Sequence, residues 1–356
     1  MAKQVKIKDI AQMAGVSAGT VDRILHNRGN VSKASREAVE KVLSEVGYRS
    51  NIHTSAVSLR KEYNILVSTP TASIGEYWGA IQSGIEHALQ EYSDISIHCR
   101  YSFYNQFDIY SCRSSFNSIL ESAPDAVIIG PTFIEETREI CRQLDEKRIP
   151  YVFVDSSIDG TSPIATYTTD QYACGHLLGR IMHLAGVGDG SEFALFRNHR
   201  VGNMSANNSV ERKKGLMDYF TKAGLKNRIH EISFSVLNPE ENEKEILEFI
   251  GRHPLTRTAA VLNSRGYIVA DILQKYGIKN IRMVSFDLTS NNRRCVKNGS
   301  ISALLCQRPG LQGFLAVKAI IRHLLYNSSA KEIHTLMPID ILMKDNLDYY
   351  QEFTEI

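Results

Sequence analysis

The residues of this 356-residue chain that could do chemistry collect at the ends of short apolar runs. Asp155 follows Tyr151–Val154, Asp287 follows Met283–Phe286, and Asp170 follows a shorter segment. Arg197 follows Phe193–Phe196, Asn263 follows Ala259–Leu262, and Gln307 follows Ala303–Leu305, while Arg212 lies within a helical stretch. Thr71, Ser73, Tyr77 and Trp78 come after the first run, and Phe103 and Thr132 lie just beyond two others. Carboxylates accept hydrogen bonds, guanidinium groups donate them, and amides do both, so together they can bond vicinal hydroxyls in either direction. Flat rings can cover the apolar faces of a sugar. The same carboxylates could instead supply the acid pair of a glycoside hydrolase, which depends on their separation in space.

Other chemistries find no support in the spacing. Ala185-Gly-Val-Gly-Asp-Gly190 is glycine-rich but lacks the Gly-x-Gly-x-x-Gly pattern, and no Gly-x-x-x-x-Gly-Lys phosphate loop occurs. His176 and His183 lie seven apart on one predicted helix face with no further ligand beside them. The six cysteines (99, 112, 141, 174, 295 and 306) contain no Cys-x-x-Cys pair. Free, mostly buried thiols in a reducing cytoplasm fit them best, with no disulfide framework. The expectation is no cofactor, no metal and no catalysis. Asn207-Asn208-Ser209 fits a glycosylation acceptor, a pattern without meaning in a chain that is not exported.

Elements that could position these groups follow from the pattern. From Tyr63 onward, buried-strand runs (Ile65–Ser68, Ile95–His98, Ala126–Ile129, Tyr151–Val154, Phe193–Phe196, Ile229–Phe234, Ala259–Leu262, Met283–Phe286, Ala303–Leu305) alternate with helical stretches. Such alternation predicts parallel sheets flanked by helices. The strands are too many for one sheet of usual size, so two Rossmann-like lobes are expected. Ligands of open α/β sheets bind beyond the carboxyl ends of the strands, where the residues above collect.

The N-terminal part is different. The net charge of +2 divides into +5 over residues 1–62 (11 Lys/Arg, 6 Asp/Glu) and −3 over the remainder (30 Lys/Arg, 33 Asp/Glu). A basic head on a mildly acidic body points to nucleic acid as the head's partner. Ile7, Ile10, Ala11 and Ala14 form one apolar helix face, Gly15 permits a tight turn, and Ser17 can cap a second helix carrying Val21, Ile24 and Leu25 inward. Ser32 can cap a third helix with Val39, Val42, Leu43 and Val46 inside and Gly47 at its end. Helix, glycine turn, helix is a helix-turn-helix arrangement, and three short basic helices suit the DNA major groove. No apolar run approaches the length of a membrane span, and Met1–Lys6 lead into no signal core, so a cytoplasmic protein with no membrane partner is expected.

Ile7-Lys8-Asp9-Ile10-Ala11, Ala14-Gly15-Val16-Ser17, Thr20-Val21-Asp22-Arg23-Ile24-Leu25, Val31-Ser32, Arg36 and Gly47-Tyr48 together resemble the DNA-binding headpiece of the LacI (lactose repressor) family. Tyr77-Trp78, Gly84, Asp170, Glu211-Arg212 with Gly215, Asn263, Asp287 and Gln307 resemble, more weakly, the periplasmic-binding-protein-like effector domain of the same family. The resemblance implies a helix-turn-helix domain (1–47), a hinge (48–62), an N-terminal effector lobe (63–167 and 305–334) and a C-terminal lobe (168–304 and 335–356). It places Ser17, Ala18 and Gly19 at base edges, and Thr20, Arg23, Asn27, Ser32 and Arg36 near bases or phosphates. In the hinge, Asn51 is a polar contact, and Val57 or Leu59 would be the side chain wedged into the minor groove. Asp22 stands where the family usually has Ser, and Ala18 and Gly19 offer little hydrogen-bonding readout. Arg23, Asn27 and DNA shape would therefore carry more of the specificity.

Effector residues implied by strand ends and resemblance together are Thr71, Tyr77, Trp78 (at the cleft mouth), Phe103, Thr132, Asp155, Asp170, Arg197, Arg212, Asn263, Asp287 and Gln307. The expected protein is a transcription regulator that binds a palindromic operator as a homodimer under control of a sugar or sugar derivative. A nucleobase effector, a sugar-processing enzyme and a solute-binding protein are the alternative readings.

Overall fold

The computed structural model of the chain describes residues 7–25, 31–45, 62–71, 73–186, 188, 190–198, 207–236, 238–326 and 333–352. The expectations for Asn27, Asn51, Val57 and Leu59 lie outside these residues.

Three short helices, α1 (Ile7–Met13), α2 (Ala18–Leu25) and α3 (Lys33–Glu45), form the head. Gly15 turns the chain between the first two with φ +66°, a left-handed conformation that favours glycine. The Ser17 hydroxyl accepts from the Thr20 N–H at 3.1 Å, and the Ser32 hydroxyl accepts from the Ser35 N–H at 3.2 Å, so both helices are capped at their first turn. At the second cap the Ser32 hydroxyl also donates to the Ser35 hydroxyl, in place of the acid of a complete capping box. Ile10, Ala11, Val21, Ile24, Val39 and Val42 form the head's core.

The body begins with β1 (Tyr63–Ser68), α4 (Tyr77–Glu91), β2 (Ile97–Tyr101), α5 (Ile109–Ser122), β3 (Ala126–Ile129), α6 (Ile134–Glu146), β4 (Tyr151–Asp155) and β5 (Ala165–Thr168). A second series follows: α7 (Gln171–Ala185), β6 (Glu192–Asn198), α8 (Asn207–Lys222), β7 (Ile229–Phe234), α9 (Pro239–Arg252), β8 (Thr256–Val261), α10 (Gly266–Lys275), β9 (Arg282–Phe286), α11 (Ser290–Lys297) and β10 (Ala303–Cys306). The chain then returns through α12 (Pro309–Tyr326), β11 (Ile333–Leu336) and β12 (Asp340–Leu342). Two six-stranded sheets result, ordered β11-β5-β4-β3-β1-β2 and β12-β10-β9-β8-β6-β7. The orders are equivalent strand for strand, and every pairing is parallel except β10 with β12. Apolar side chains from both faces of each sheet make two cores per lobe.

The three crossings between lobes depart from the sequence reading. Thr168 is the last residue of β5 in the first sheet, and Leu305 and Cys306 pair in the second, so the crossings fall at 169–170 and 307–308. Leu336 still pairs in the first sheet, which puts the third crossing at 337–339 rather than after 334. The two C-terminal strands are too short and too exposed to leave an apolar run. The expected strand at Ile95–His98 starts at Ile97, because the Ile95 N–H closes a turn on the Tyr92 carbonyl. Helix α11 escaped the periodicity because most of it is polar and only Asn292, Cys295 and Val296 are buried.

Candidate functional site

The strand ends of both lobes face one cleft of about 900 Å³, counting its open mouth. Thr71, Tyr77, Trp78, Thr132 and Asp155 line it from the first lobe, and Arg212, Asn263, Asp287 and Gln307 from the second lobe and the crossing. Asp155 ends β4 and Asp287 follows β9, which are equivalent positions in the two sheets. Both hold positive φ (+71° and +63°), a conformation costly for a residue with a Cβ.

A continuous hydrogen-bonded network joins these groups. The Tyr77 hydroxyl donates to Asp155 at 2.7 Å, and the Asn208 amide donates to the other carboxylate oxygen at 2.9 Å. The Ser156 hydroxyl donates to the Asn208 carbonyl at 2.8 Å, so this corner ties one lobe to the other. Arg212 is almost wholly buried. Its Nε donates to Gln171 and its two terminal nitrogens to the Leu262 carbonyl and to Gln307, each at 2.7 Å. Its guanidinium also lies over the Phe286 ring, 4.1 Å from the centroid. Among the described residues three of its five N–H groups are thus committed. Gln307, in the second crossing, passes the network on by donating to Asp287 at 2.9 Å and accepting from Thr169, in the first crossing, at 2.8 Å.

Burial sets the electrostatics. It raises the Asp155 carboxyl above the usual range, against the Tyr77 hydrogen bond and Arg212, which lower it. Asp287 is pushed up to about 7, first by burial; Arg212 and the Gln307 hydrogen bond pull it down, while Asp155 and Glu352 raise it. At neutral pH this carboxyl is divided between its two protonation states and can either donate or accept.

Three expected site residues lie elsewhere. Asp170 is exposed and caps α7 by accepting from the Ala173 N–H, because the chain turns there directly into a helix. Arg197 pairs with Glu231 on the adjoining strand β7 at 3.1 Å. Phe103 stacks on Tyr101 outside the cleft, and Phe107 takes the place expected of it. Trp78 is on the inner wall and not at the mouth: it is only 8% exposed, sits in the core, and meets Tyr77 edge to face at 5.4 Å. The sequence reading missed Glu76, Gln106, Asn208 and Arg265. In the sequence Asn208 is legible only as part of a glycosylation pattern, although it stands in the first turn of α8 and lines the cleft. Glu76 and Arg265 form an ion pair at 3.1 Å from opposite lobes, which no local spacing could reveal.

In the head, Ser17, Gly19 and Arg23 are exposed along the start and outer face of α2, and Thr20 is half-buried beside them. Ala18 packs partly against the core of the head. Ser32 is exposed at the cap of α3, and Arg36 is half-buried, 3.9 Å from Glu40.

A helix-turn-helix head followed by a two-lobed body with a polar cleft is the architecture of a bacterial transcription regulator. Comparison with known proteins makes this specific. Residues 6–51 match the bacterial regulatory proteins of the lacI family, and residues 65–328 match the periplasmic binding protein domain. The chain belongs to the LacI family. It is 25% identical over 291 residues to the sucrose operon repressor of Pediococcus pentosaceus, covering 80% of this chain and 82% of that one. A Bacteroides fragilis structure assigned to the LacI transcriptional regulators is 30% identical, with a TM-score of 0.77 over 82% of this chain and all of that one. A solute-binding protein of an ABC transporter from Burkholderia graminis, in complex with D-arabinose, shares the fold at 15% identity, with a TM-score of 0.70 over 82% of this chain and 98% of that one. Among the described residues no helix is long and apolar enough to cross a membrane.

Proposed function

We propose that the protein is a cytoplasmic, non-catalytic regulator that binds a palindromic operator as a homodimer and releases it when a sugar or sugar derivative fills the interlobe cleft. The observation that carries this reading is the pairing of Asp155 and Asp287 from equivalent strand ends around the buried Arg212, with Asn263 and Gln307 beside them. Such a set offers charged acceptors and donors from both lobes to one polyhydroxylated guest, and Tyr77 and Phe107 supply flat surfaces. The similarity to a sucrose operon repressor supports the ligand class.

In this reading Ser17, Ala18 and Gly19 lie at base edges, and Thr20, Arg23, Ser32 and Arg36 lie near bases or phosphates. A guest that draws the lobes together shifts the crossings at 169–170 and 307–308, because Thr169 and Gln307 belong to the network that holds it. That movement alters the spacing of the two heads and so operator affinity.

A thermal-shift screen of monosaccharides, sugar phosphates and nucleobases tests the ligand class, since a ligand of the folded state raises the melting point by mass action. Asn263→Ala is the variant of choice for confirming the site. Arg212→Ala also strips partners from Gln171, Gln307 and the Leu262 carbonyl, and so mixes stability with binding. A sugar that stabilises the parent and not Asn263→Ala is expected. Stabilisation by nucleobases alone, or an equal shift in the variant, removes the sugar reading.

A further inference from the structure

Glu192, His230 and His253 come together at the amino-terminal edge of the second sheet, the end opposite the cleft. Glu192 opens β6, His230 is the second residue of the neighbouring edge strand β7, and His253 ends α9 just before β8. The three ligating atoms all lie within 4.8 Å of one another. His230 Nε2 is 3.3 Å from one Glu192 carboxylate oxygen, and His253 Nδ1 is 3.3 Å from the other. The two imidazole rings are 4.0 Å apart, centre to centre. Phe249 lies against the His253 ring at 4.6 Å and meets the His230 ring edge to face at 6.3 Å.

From this arrangement we infer a binding site for one first-row divalent transition ion of the zinc class, held by two imidazoles and one carboxylate and completed by water. Metal–nitrogen bonds of about 2.0–2.1 Å make the edge of a tetrahedron roughly 3.4 Å, close to the observed spacing of the imidazole nitrogens from the carboxylate oxygens. His230 Nε2 is buried and makes no hydrogen bond, although Glu192 is near enough to receive one if the geometry allowed it. A metal ion lying on the lone-pair axis of that nitrogen, off the line to the carboxylate oxygen, would satisfy it. Two nitrogen donors and one oxygen select zinc, cobalt or nickel over magnesium and calcium, which take oxygen ligands. The residues lie 38 and 23 positions apart in the chain, so no spacing rule could have found them. The ion clamps β6, the edge strand β7 and the turn leading from α9 into β8.

The test uses tag-free, full-length protein freed of metal by a chelator and titrated with zinc chloride, cobalt chloride or magnesium chloride. One equivalent of zinc retained through desalting, visible absorption bands of four- or five-coordinate cobalt, and a melting point raised by zinc and not by magnesium are expected. Glu192→Gln and His253→Gln should each weaken zinc binding by about 100-fold or more, since loss of a partner outside the ligand shell alone costs 10–100-fold. Far-UV circular dichroism shows whether each variant is folded. If Glu192→Gln fails to fold, His253→Gln on the surface turn decides the matter alone. Absence of stoichiometric zinc binding in the parent, or undiminished binding in a folded variant, overturns the site.

Discussion

Gly175→Ala tests whether the position of Arg212 is dictated from beneath the cleft. Gly175 lies in α7 against α8, and a Cβ built there would stand 1.8 Å from the Arg212 carbonyl oxygen and 2.6 Å from its carbonyl carbon. Ordinary contact begins near 3.4 Å, so α8 must retreat by about 1.5 Å. Carried rigidly outward, a 2.7 Å bond of the guanidinium lying along that movement would stretch to about 4.2 Å, beyond hydrogen-bonding range. Overpacking costs about 1–3 kcal/mol, and a lost hydrogen bond to a charged group about 1.5–3 kcal/mol. With relaxation sparing the other two bonds, the expected destabilisation is about 2.5–6 kcal/mol. Urea unfolding of the full-length protein measures it. Gly251→Ala is the control, because nothing lies within 4 Å of a Cβ there and the helix should gain up to about 1 kcal/mol. The ligand identified by the thermal-shift screen should bind Gly175→Ala about 10–100-fold more weakly through the one displaced hydrogen bond. Unfolding within about 0.5 kcal/mol of the parent together with unchanged ligand affinity would refute the reasoning.

Three further outcomes are expected. Asp287 holds its proton in the folded state up to about pH 7 and loses it near pH 4 when unfolded, so its contribution to stability falls as pH rises through that window. Asp287→Asn should therefore gain on the parent between about pH 4 and 7 and level off above that, by at most about 1.4 kcal/mol per pH unit, and an advantage independent of pH would contradict this. Trp78 is the sole tryptophan and rests on Tyr77 in the cleft wall, so its emission should change when ligand binds; an unchanged spectrum with a ligand that raises the melting point would count against that placement. Arg23→Ala should weaken specific operator binding by ~1–3 kcal/mol with little effect on random DNA in a fluorescence-anisotropy titration, and equal loss on both would reassign Arg23 to a phosphate.

Local signals in the sequence were good guides to the elements. Val21, Ile24, Val39 and Val42 fall at helical spacing and are buried, and Ser17 and Ser32 cap the helices they precede. Tyr151–Val154 and Met283–Phe286 read as strands because parallel strands buried on both faces leave unbroken apolar runs. The third crossing is hard to read because β11 alternates half-buried with exposed residues and β12 runs half-buried, exposed, buried, over only four and three positions, too short for a period to register. Within the cleft, strand-end position located Asp155, Asn263, Asp287 and Gln307, which the backbone delivers directly. It failed for Asp170 and Arg197, whose side chains turn to partners nearer at hand, a helix N-terminus and Glu231. Contacts between lobes, such as Glu76 with Arg265 and Ser156 with Asn208, depend on how two rigid bodies meet and leave no trace in local spacing.

The equivalence of Asp155 and Asp287 has a mechanical meaning. Each jaw of the cleft presents one carboxylate at the same strand end; Asp155 raises the proton affinity of Asp287, and Arg212 lowers that of both. With both ionised, the pair and Arg212 sum to one uncompensated negative charge in a region poorly screened by salt. Under the regulation proposed above, drawing the two jaws together would work against the repulsion between these carboxylates, which would act as a spring. A guest whose hydroxyls hydrogen-bond both carboxylates unloads that spring, and so does a proton taken up at Asp287. Mild acidification and ligand would then push the jaws in the same direction, and the signal sent to DNA would register the state of charge of the cleft as well as its occupancy.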